Sequence, residues 1–366
     1  MEKKDKNLNV PNLRFPEFSG EWEKHKLDEI ATISKERIGV GMLSSSNYIS
    51  TENMKSNFGG VDLAACLPVS GNVIKFQQGD TLLSNIRPYL KKIWQARFDG
   101  GCSADILVFR SNKLCNQDFL YYTLANEKFI SYAMSGAKGV KMPRGDKEQI
   151  LKYELHLPTA TEQNKITSLL SLLDQRIETQ KKVIEDLKKL KDAISKLLFS
   201  HRAGNEYTIG ELCKSIAVKQ YISIDVAIDG TYPIIQQGES PVAGYTESAP
   251  FFDYEKVILF GDHTLSIYRP NVPFLLSTDG IKILRPNDLV LRDYLYYLLY
   301  AFMPRSEGYK RHYSILKDIC VPVPDIDTQK SIVEELLSVD SKIEIEVRVL
   351  KLQIQQKEYC LNQMFI

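Results

Sequence analysis

The sequence predicts an α/β protein: two pseudo-repeated α/β domains separated by two long antiparallel coiled-coil helices. Three observations lead there. "PTATEQNKITSLLSLLD" from Pro158 recurs as "PDIDTQKSIVEELLSVD" from Pro324, with six identities in the twenty positions Pro158–Ile177 and Pro324–Ile343. "GDTLLSNIRP" (Gly79–Pro88) matches "GDHTLSIYRP" (Gly261–Pro270) at six positions in ten. Both long polar-apolar stretches keep apolar residues at 4-3 spacing, the seam of a coiled coil.

The first half opens with "FSGEW" (Phe18–Trp22), which resembles "FSHRAGNEY" (Phe199–Tyr207) before the second half. A repeat whose beginning matches the end of its own helix suits pseudo-two-fold symmetry, with the N-terminus meeting the end of the last helix. Strands follow in "GDTLLSNI", "LKKIWQARF" and "SADILVFR", punctuated by Asp99-Gly100, whose partner is Asp279-Gly280. "DFLYYTLANEKFISYAM" predicts one helix, and "FLYYTL" (Phe119–Leu124) recurs as "YLYYLL" (Tyr294–Leu299). "ELHLP" predicts a last strand before the long helix. The sheet expected is antiparallel or mixed. The boundaries are a domain over 1–157, a helix over 158–200, a second domain over 201–323 and a helix over 324–366. The repeat offset shrinks from 182 to 166 along the unit, so the second domain has lost loop residues.

In the first helix Ile166, Leu170, Leu173, Ile177, Gln180, Ile184, Leu187, Lys191, Ile194 and Leu198 form the seam. In the second, Ile332, Leu336, Val339, Ile343, Glu346, Leu350, Gln353, Lys357, Cys360 and Met364 take the same register. Polar interruptions coincide, Gln180 with Glu346 and Lys191 with Lys357, which suits mutual pairing in one fixed register. About 40 residues at ~1.5 Å each would span ~60 Å. Thr161 and Asp327 are the expected N-caps. The plainer alternative is two amphipathic helices packed only on their own domains.

Composition bounds the function. With 43% apolar and 25% charged residues the chain is of ordinary globular type, and a formal charge of +1 carries no global signal for nucleic acid. No run approaches a membrane span. "MEKKDKNLNV" is charged and lacks the apolar core of a signal peptide. Six scattered cysteines without a C-x-x-C pair fit neither zinc nor a disulfide framework and suit a reducing cytoplasm.

Any nucleic-acid contact must then be local. Arg87 and Arg269 each precede a proline, which holds the preceding residue extended and would project the arginine at a sheet rim. Guanidinium there could take guanine bidentately or clamp a phosphate, or be tied up in a structural salt bridge to the neighbouring domain. "SGAKGVKMPRGDK" brings Lys138, Lys141, Arg144 and Lys147 among glycines. Its counterpart "PRSEGYKRHYSILK" brings Arg305, Lys310, Arg311 and Lys317 beside Tyr309, His312 and Tyr313. Cations at such loops release counterions from a duplex, though solvated surface charge is the plainer reading of either loop alone. The candidate DNA-binding residues are Arg87, Lys138, Lys141, Arg144, Arg269, Lys310, Arg311 and His312. The candidate spacer and partner-binding residues are Gln163, Ile166, Leu170, Leu173, Ile177, Gln329, Ile332, Leu336, Val339 and Ile343.

Enzyme signatures are missing from the sequence. It has no Walker A, no G-x-G-x-x-G, no paired-histidine metal motif and no Asp/Asn-Pro-Pro-aromatic tetrad. "RGD" at Arg144–Asp146 is short enough for chance. Pro324-Asp325 with Glu334 and Glu335 matches a nuclease motif only faintly, and begins a coiled-coil helix.

"PNLRFPEFSGEWEKHKLDEIATI", "GDTLLSNIRP" and "LP…TEQNKITSLLSLLDQRI" with its second copy resemble the specificity subunit of type I restriction-modification systems, over nearly the whole chain. The resemblance implies a non-catalytic reader with two target-recognition domains, each on one half of a bipartite, asymmetric site in double-stranded DNA. The helices would set the unspecified spacer and dock two methyltransferase subunits, with motor-endonuclease subunits joining them. No cofactor is expected in this chain; S-adenosylmethionine, ATP and Mg are implied for the partner subunits. An antiparallel rod with a domain at each end could set two readers on successive major grooves, about 34–36 Å apart. The competing readings are a coiled-coil scaffold for protein ligands and a self-contained nuclease or methyltransferase.

Overall fold

The computed structural model describes residues 9–200, 204–223, 225–238, 240–306, 308 and 310–366. Most of "MEKKDKNLNV", His201–Ala203 of the "FSHRAGNEY" segment, and Tyr309 lie outside the described residues. The chain divides into Met1–Thr179 with Leu350–Ile366, and Gln180–Val349. Each long helix therefore contributes to both units.

The first unit runs β1 (Glu23–Lys26), α1 (Leu27–Ile30), β2 (Ala31–Ile33), β3 (Arg37–Gly39), β4 (Tyr48–Ile49), β5 (Asn72–Phe76), β6 (Thr81–Ser84), β7 (Ile93–Gln95), β8 (Gly100–Cys102), β9 (Ile106–Ser111), α2 (Gln117–Leu124), α3 (Glu127–Ser135), α4 (Lys147–Leu151) and β10 (Glu154–Leu157), then enters α5 (Ala160–Ser200). In place of one sheet there are three: β2-β9-β6-β7, β3-β5-β8-β4 and the ribbon β1-β10. Pairing is antiparallel except between β4 and β8.

Successive strand residues face opposite sides, and both faces of this sheet are covered. Leu83, Leu107 and Phe109 join a core with Trp22, Phe119 and Phe129. Leu82, Ile106 and Val108 join a second core with Phe76 and Trp94. The single helix expected over "DFLYYTLANEKFISYAM" is two. Asn116 caps α2 by accepting from the Asp118 and Phe119 amides. The second break falls at Asn126, extended at φ −126°, whose side chain accepts from the Lys128 amide at 3.0 Å and donates to the Leu361 carbonyl.

The second unit repeats the plan with β11 (Asn205–Thr208), α6 (Ile209–Leu212), β12 (Cys213–Ile216), β13 (Tyr232–Ile235), β14 (Val242–Thr246), β15 (Ile258–Gly261), β16 (Ile267–Tyr268), β17 (Leu275–Leu276), β18 (Ile281–Pro286), α7 (Arg292–Ala301), α8 (Tyr313–Leu316), β19 (Cys320–Val323) and the start of α9 (Ile326–Met364). Its sheets are β12-β18-β15-β16, β14-β13-β17 and β11-β19. Ile258, Phe260 and Leu284 face one core, while Leu259, Ile281 and Ile283 face the other.

Strand register fixes which residues correspond, and it corrects the motif alignment. Thr81 pairs with Phe109 as Ile258 pairs with Leu284, so β6 corresponds to β15 at an offset of 177, not 182. The offset of 182 holds only at the start of the unit, where Glu23 and Leu27 correspond to Asn205 and Ile209. "GDTLLSNIRP" is therefore a strand and its exit turn, whereas "GDHTLSIYRP" is a turn and the next strand. Likewise Asp279-Gly280 does not answer Asp99-Gly100 but the approach to β9: Ile281 answers Ile106, so Gly280 takes the place of Asp105, with Asp279 one position before it.

The caps of both long helices lie two positions earlier than expected. Thr159, not Thr161, takes the Glu162 amide at 3.4 Å. Asp325, not Asp327, takes the Thr328 amide at 2.9 Å and the Asp327 amide at 3.1 Å. Every named seam position is buried or partly buried, as the heptad spacing requires. Within the second unit Gln180 donates to the Glu346 carbonyl at 3.1 Å and also meets its carboxylate, and Lys191 meets Asp340 at 2.7 Å. As α5 advances the α9 partner recedes, so the pair is antiparallel. Within the first unit Lys357 of α9 meets Asp174 of α5 at 2.6 Å.

The opening turns of both helices do what the plainer alternative expected: they pack on their own domains. Ile166, Leu170 and Leu173 sit in the first core, Ile332 and Leu336 in the second unit's core. Gln163 and Gln329 are buried. Gln163 accepts from the Asn116 amide at 2.7 Å and donates to the carbonyls of Leu114 and Pro158. Gln329 accepts from the Leu291 amide at 2.9 Å and donates to Leu289 and Pro324. These seven side chains are consequently closed to any partner subunit, because a buried amide must be satisfied internally and these apolar groups are already covered. Ile177 is buried on the helix, and Val339 and Ile343 are partly buried.

Candidate DNA-recognition surfaces

In the first unit the structure brings two sequence features together. The loop 138–144 closes on itself through reciprocal backbone bonds between Lys138 and Arg144, both 2.9 Å. Gly139 takes φ +96°, a conformation open to glycine at little cost, and Val140, Lys141 and Met142 stand out at the tip. This loop is fastened to the exit of β6: Arg87 donates its amide to the Pro143 carbonyl at 2.7 Å and Gly145 donates to Asn85 at 3.1 Å. Arg87 thus lies beside the basic loop.

Arg87 is not extended, as the proline rule led us to expect. It sits at φ 51°, ψ 61°. Left-handed backbone costs an L-residue roughly 1–2 kcal/mol. The bonds from its own amide to Pro143 and from the Leu90 amide to its carbonyl hold it there. Its Nε is buried without a hydrogen-bond partner. Lys138 pairs with Asp146 at 2.7 Å, and that ammonium holds the Asp146 carboxyl below the usual range. Arg144, 59% exposed, faces Asp105 at 3.1 Å. Among the described residues Lys141 has no acidic partner.

In the second unit the equivalent loop reaches α8. Arg311, 61% exposed, faces Asp279 at 3.5 Å. Lys310 is exposed, and its carbonyl meets His263 Nδ1 at 3.1 Å. His312 is fully buried: its amide donates to the Asp262 carbonyl at 2.9 Å, and the Tyr313 amide donates to the Asp262 carboxylate at 2.7 Å. It fastens the loop and does not face a ligand, which corrects the sequence assignment. Arg269 is corrected as well. It follows β16 and lies on α7, facing Asp293 at 3.4 Å with its guanidinium 4.8 Å from the Tyr296 ring centroid. The arginine is held in a structural salt bridge, made within its own domain and not to the neighbouring one.

Register reveals what motif matching missed. Asn85 donates its amide to Asp105, as Asp262 does to Gly280, both 2.8 Å. Gly145 bonds to Asn85 as His312 bonds to Asp262. Ser103 bonds to Ile49 at 2.9 Å as Ser277 bonds to Ile235 at 2.8 Å. Beside this shared frame Arg144 faces Asp105, and Arg311 faces Asp279, the neighbour of the Gly280 that takes the place of Asp105. The signal was present as "SAD" against "STD" ahead of the paired strands.

Among the described residues no cluster of three His, Cys, Asp or Glu could hold a metal ion, and no helix is long and apolar enough to cross a membrane.

Comparison with known proteins places this arrangement. The chain is 23% identical over 401 residues to the type I restriction enzyme MjaVIII specificity subunit of Methanocaldococcus jannaschii, covering 94% of this chain and 91% of that one. It shares the fold of the type I restriction-modification S subunit from M. genitalium, with a TM-score of 0.62 at 17% identity over 98% of this chain and 99% of that one. A structure from work on complex assembly and conformational transition of the type I R-M system aligns with a TM-score of 0.56 at 18% identity, over 94% of this chain and 97% of that one. The family "Type I restriction modification DNA specificity domain" matches residues 19–189 and again 204–356. The chain belongs to this family, as a type I restriction-modification specificity subunit with one specificity domain in each half.

Proposed function

We propose that each domain reads one half of a bipartite, asymmetric site in duplex DNA through the loop surfaces at 138–144 and 310–311, with Arg87 added in the first domain. The observation that carries this reading is one backbone frame, present in both domains, surrounded by unlike side chains. Such a pair suits two different half-sites presented by one scaffold. The helices α5 and α9 set the spacer between the half-sites and dock two methyltransferase subunits, with motor-endonuclease subunits joining that assembly in the cytoplasm. The chain itself performs no catalysis; S-adenosylmethionine, ATP and Mg belong to the partners.

Filter binding tests this. The chain with its methyltransferase partner should bind a cognate duplex in preference to scrambled sequence, with affinity falling steeply with salt. Sequence-indifferent binding by that complex would sink the reading and favour a protein-binding scaffold. Exchange of residues 22–157 for the corresponding domain of another family member should alter one half-site only.

A further inference from the structure

We infer that Arg144 and Arg311 are equivalent sequence-blind phosphate anchors, one in each domain, and that the side chains which differ around them read the bases. The inference rests on the half-site reading above and deepens it.

The two domains share the backbone of this node, with one residue more, Gly280, between the second aspartate and its strand. Each arginine is more than half exposed, at 59% and 61%, and each faces an aspartate in the approach to the matching strand, Asp105 directly before β9 at 3.1 Å and Asp279 with Gly280 between it and β18 at 3.5 Å. The residue after each arginine is fixed by its amide to the turn leaving β6 or β15, through Asn85 or Asp262. Both guanidinium groups are therefore set on the same edge of the same frame.

The surroundings differ. Arg87, strained and partly buried, stands in the turn after β6, which the second domain shortens to Asp262–Ser266, where the Thr264 hydroxyl meets Ser266. Gly145 corresponds to the buried His312. Lys138, paired with Asp146, stands before the first arginine, while the residue that answers Asp146 is Tyr313. An asymmetric target asks the two domains to distinguish different bases, but offers both the same phosphate backbone. A cation kept with its aspartate in both domains answers the requirement that the domains share. Exposed pairs such as Arg144–Asp105 contribute little stability, so a phosphate can take the guanidinium while the aspartate limits where it swings.

The test uses the chain assembled with its methyltransferase partner. Fluorescence anisotropy is measured on the cognate duplex, on single-base-pair variants of each half-site and on unrelated duplex, over a salt series. Arg144→Ala and Arg311→Ala should each weaken cognate and unrelated binding by the same factor and lower the slope of log K against log[salt] by about 1, leaving base-pair preferences unchanged. Arg144→Lys and Arg311→Lys should restore the slope, because a point charge suffices for phosphate. The inference is overturned by relaxed preference at one base pair in either alanine variant, by failure of lysine to restore the slope, or by an unchanged slope in the alanine variants. Failure of the wild-type assembly to discriminate sequence would instead overturn the half-site reading itself.

Discussion

Lys191 of α5 and Asp340 of α9 lie 2.7 Å apart, and the other Asp340 oxygen accepts from the Tyr297 hydroxyl at 2.6 Å. One carboxylate thereby joins both long helices to α7. The first unit makes the same contact with the partners exchanged: Asp174 meets Lys357 at 2.6 Å and accepts from Tyr122 at 2.8 Å. Burial, with the carboxylate beside them, raises the pKa of both tyrosine hydroxyls, so they remain donors. Asp340→Ala strands a nearly buried ammonium, and should destabilise the second unit by about 3 kcal/mol. Asp174→Ala should cost less, because its pair is more exposed. Urea unfolding of the two variants checks both the loss and its order.

Gln163 and Gln329 should behave alike despite their different loops. Either change to Ala leaves a loop amide and two carbonyls without their partner, a loss of roughly 1–3 kcal/mol. Denaturant midpoints for the two variants, and non-coincidence of a first-unit and a second-unit probe, would measure it. Equal stability of wild type and variants would refute the anchoring role.

Arg87→Gly separates strain from function. The backbone bonds to Pro143 and from Leu90 remain, and glycine removes a left-handed penalty of roughly 1–2 kcal/mol. The variant should melt no lower than wild type while losing affinity for its half-site. A lower melting temperature would show that the arginine side chain, not its amide, supports the turn.

His312→Ala should do the reverse of an arginine variant. Because His312 is buried against Asp262, its loss should lower thermal stability and leave the salt slope of DNA binding unchanged. A reduced slope would return His312 to the DNA surface.

Six thiols should split by reactivity. Cys66 and Cys320 are exposed and should label quickly in the native chain, while burial pushes Cys102, Cys115 and Cys213 up to about 12. The sign for stability follows: the unfolded chain loses these protons first, so their contribution is whole below the ordinary thiol range of ~8.5. It falls as pH rises towards about 12. Peptide mapping after alkylation and unfolding as a function of alkaline pH check the two halves of this expectation. Rapid native labelling of Cys115 would contradict it.

The helices were legible because a seam is written in the side chains themselves: Ile166 to Leu198 repeats at a spacing that only one backbone satisfies. The strands were legible as strands, but not in register. Between β6 and β7 the turn runs from Asn85 to Lys92, while between β15 and β16 it runs only from Asp262 to Ser266. Identities such as Arg87-Pro88 and Arg269-Pro270 therefore fall on different elements, and only hydrogen bonding shows that Thr81 answers to Ile258. Of the candidate site, Arg144 and Arg311 stood in the basic loops, but the aspartates they face lie in turns ahead of distant strands, which no local pattern connects to them. His312 was misread because a histidine among cations carries no mark of burial.

The first unit draws Cys360, Leu361, Met364 and Phe365 into its core, with Phe365 5.1 Å from Phe119 and the Leu13 amide donating to the Gln363 carbonyl. A ribosome delivers residues 9–179 long before these. The first domain to be synthesised is thus the last to be able to close, and waits with an open apolar face until the far end of α9 has emerged. Any chain shortened before Phe365 leaves that face uncovered, so damage at one end of the message becomes misfolding at the other.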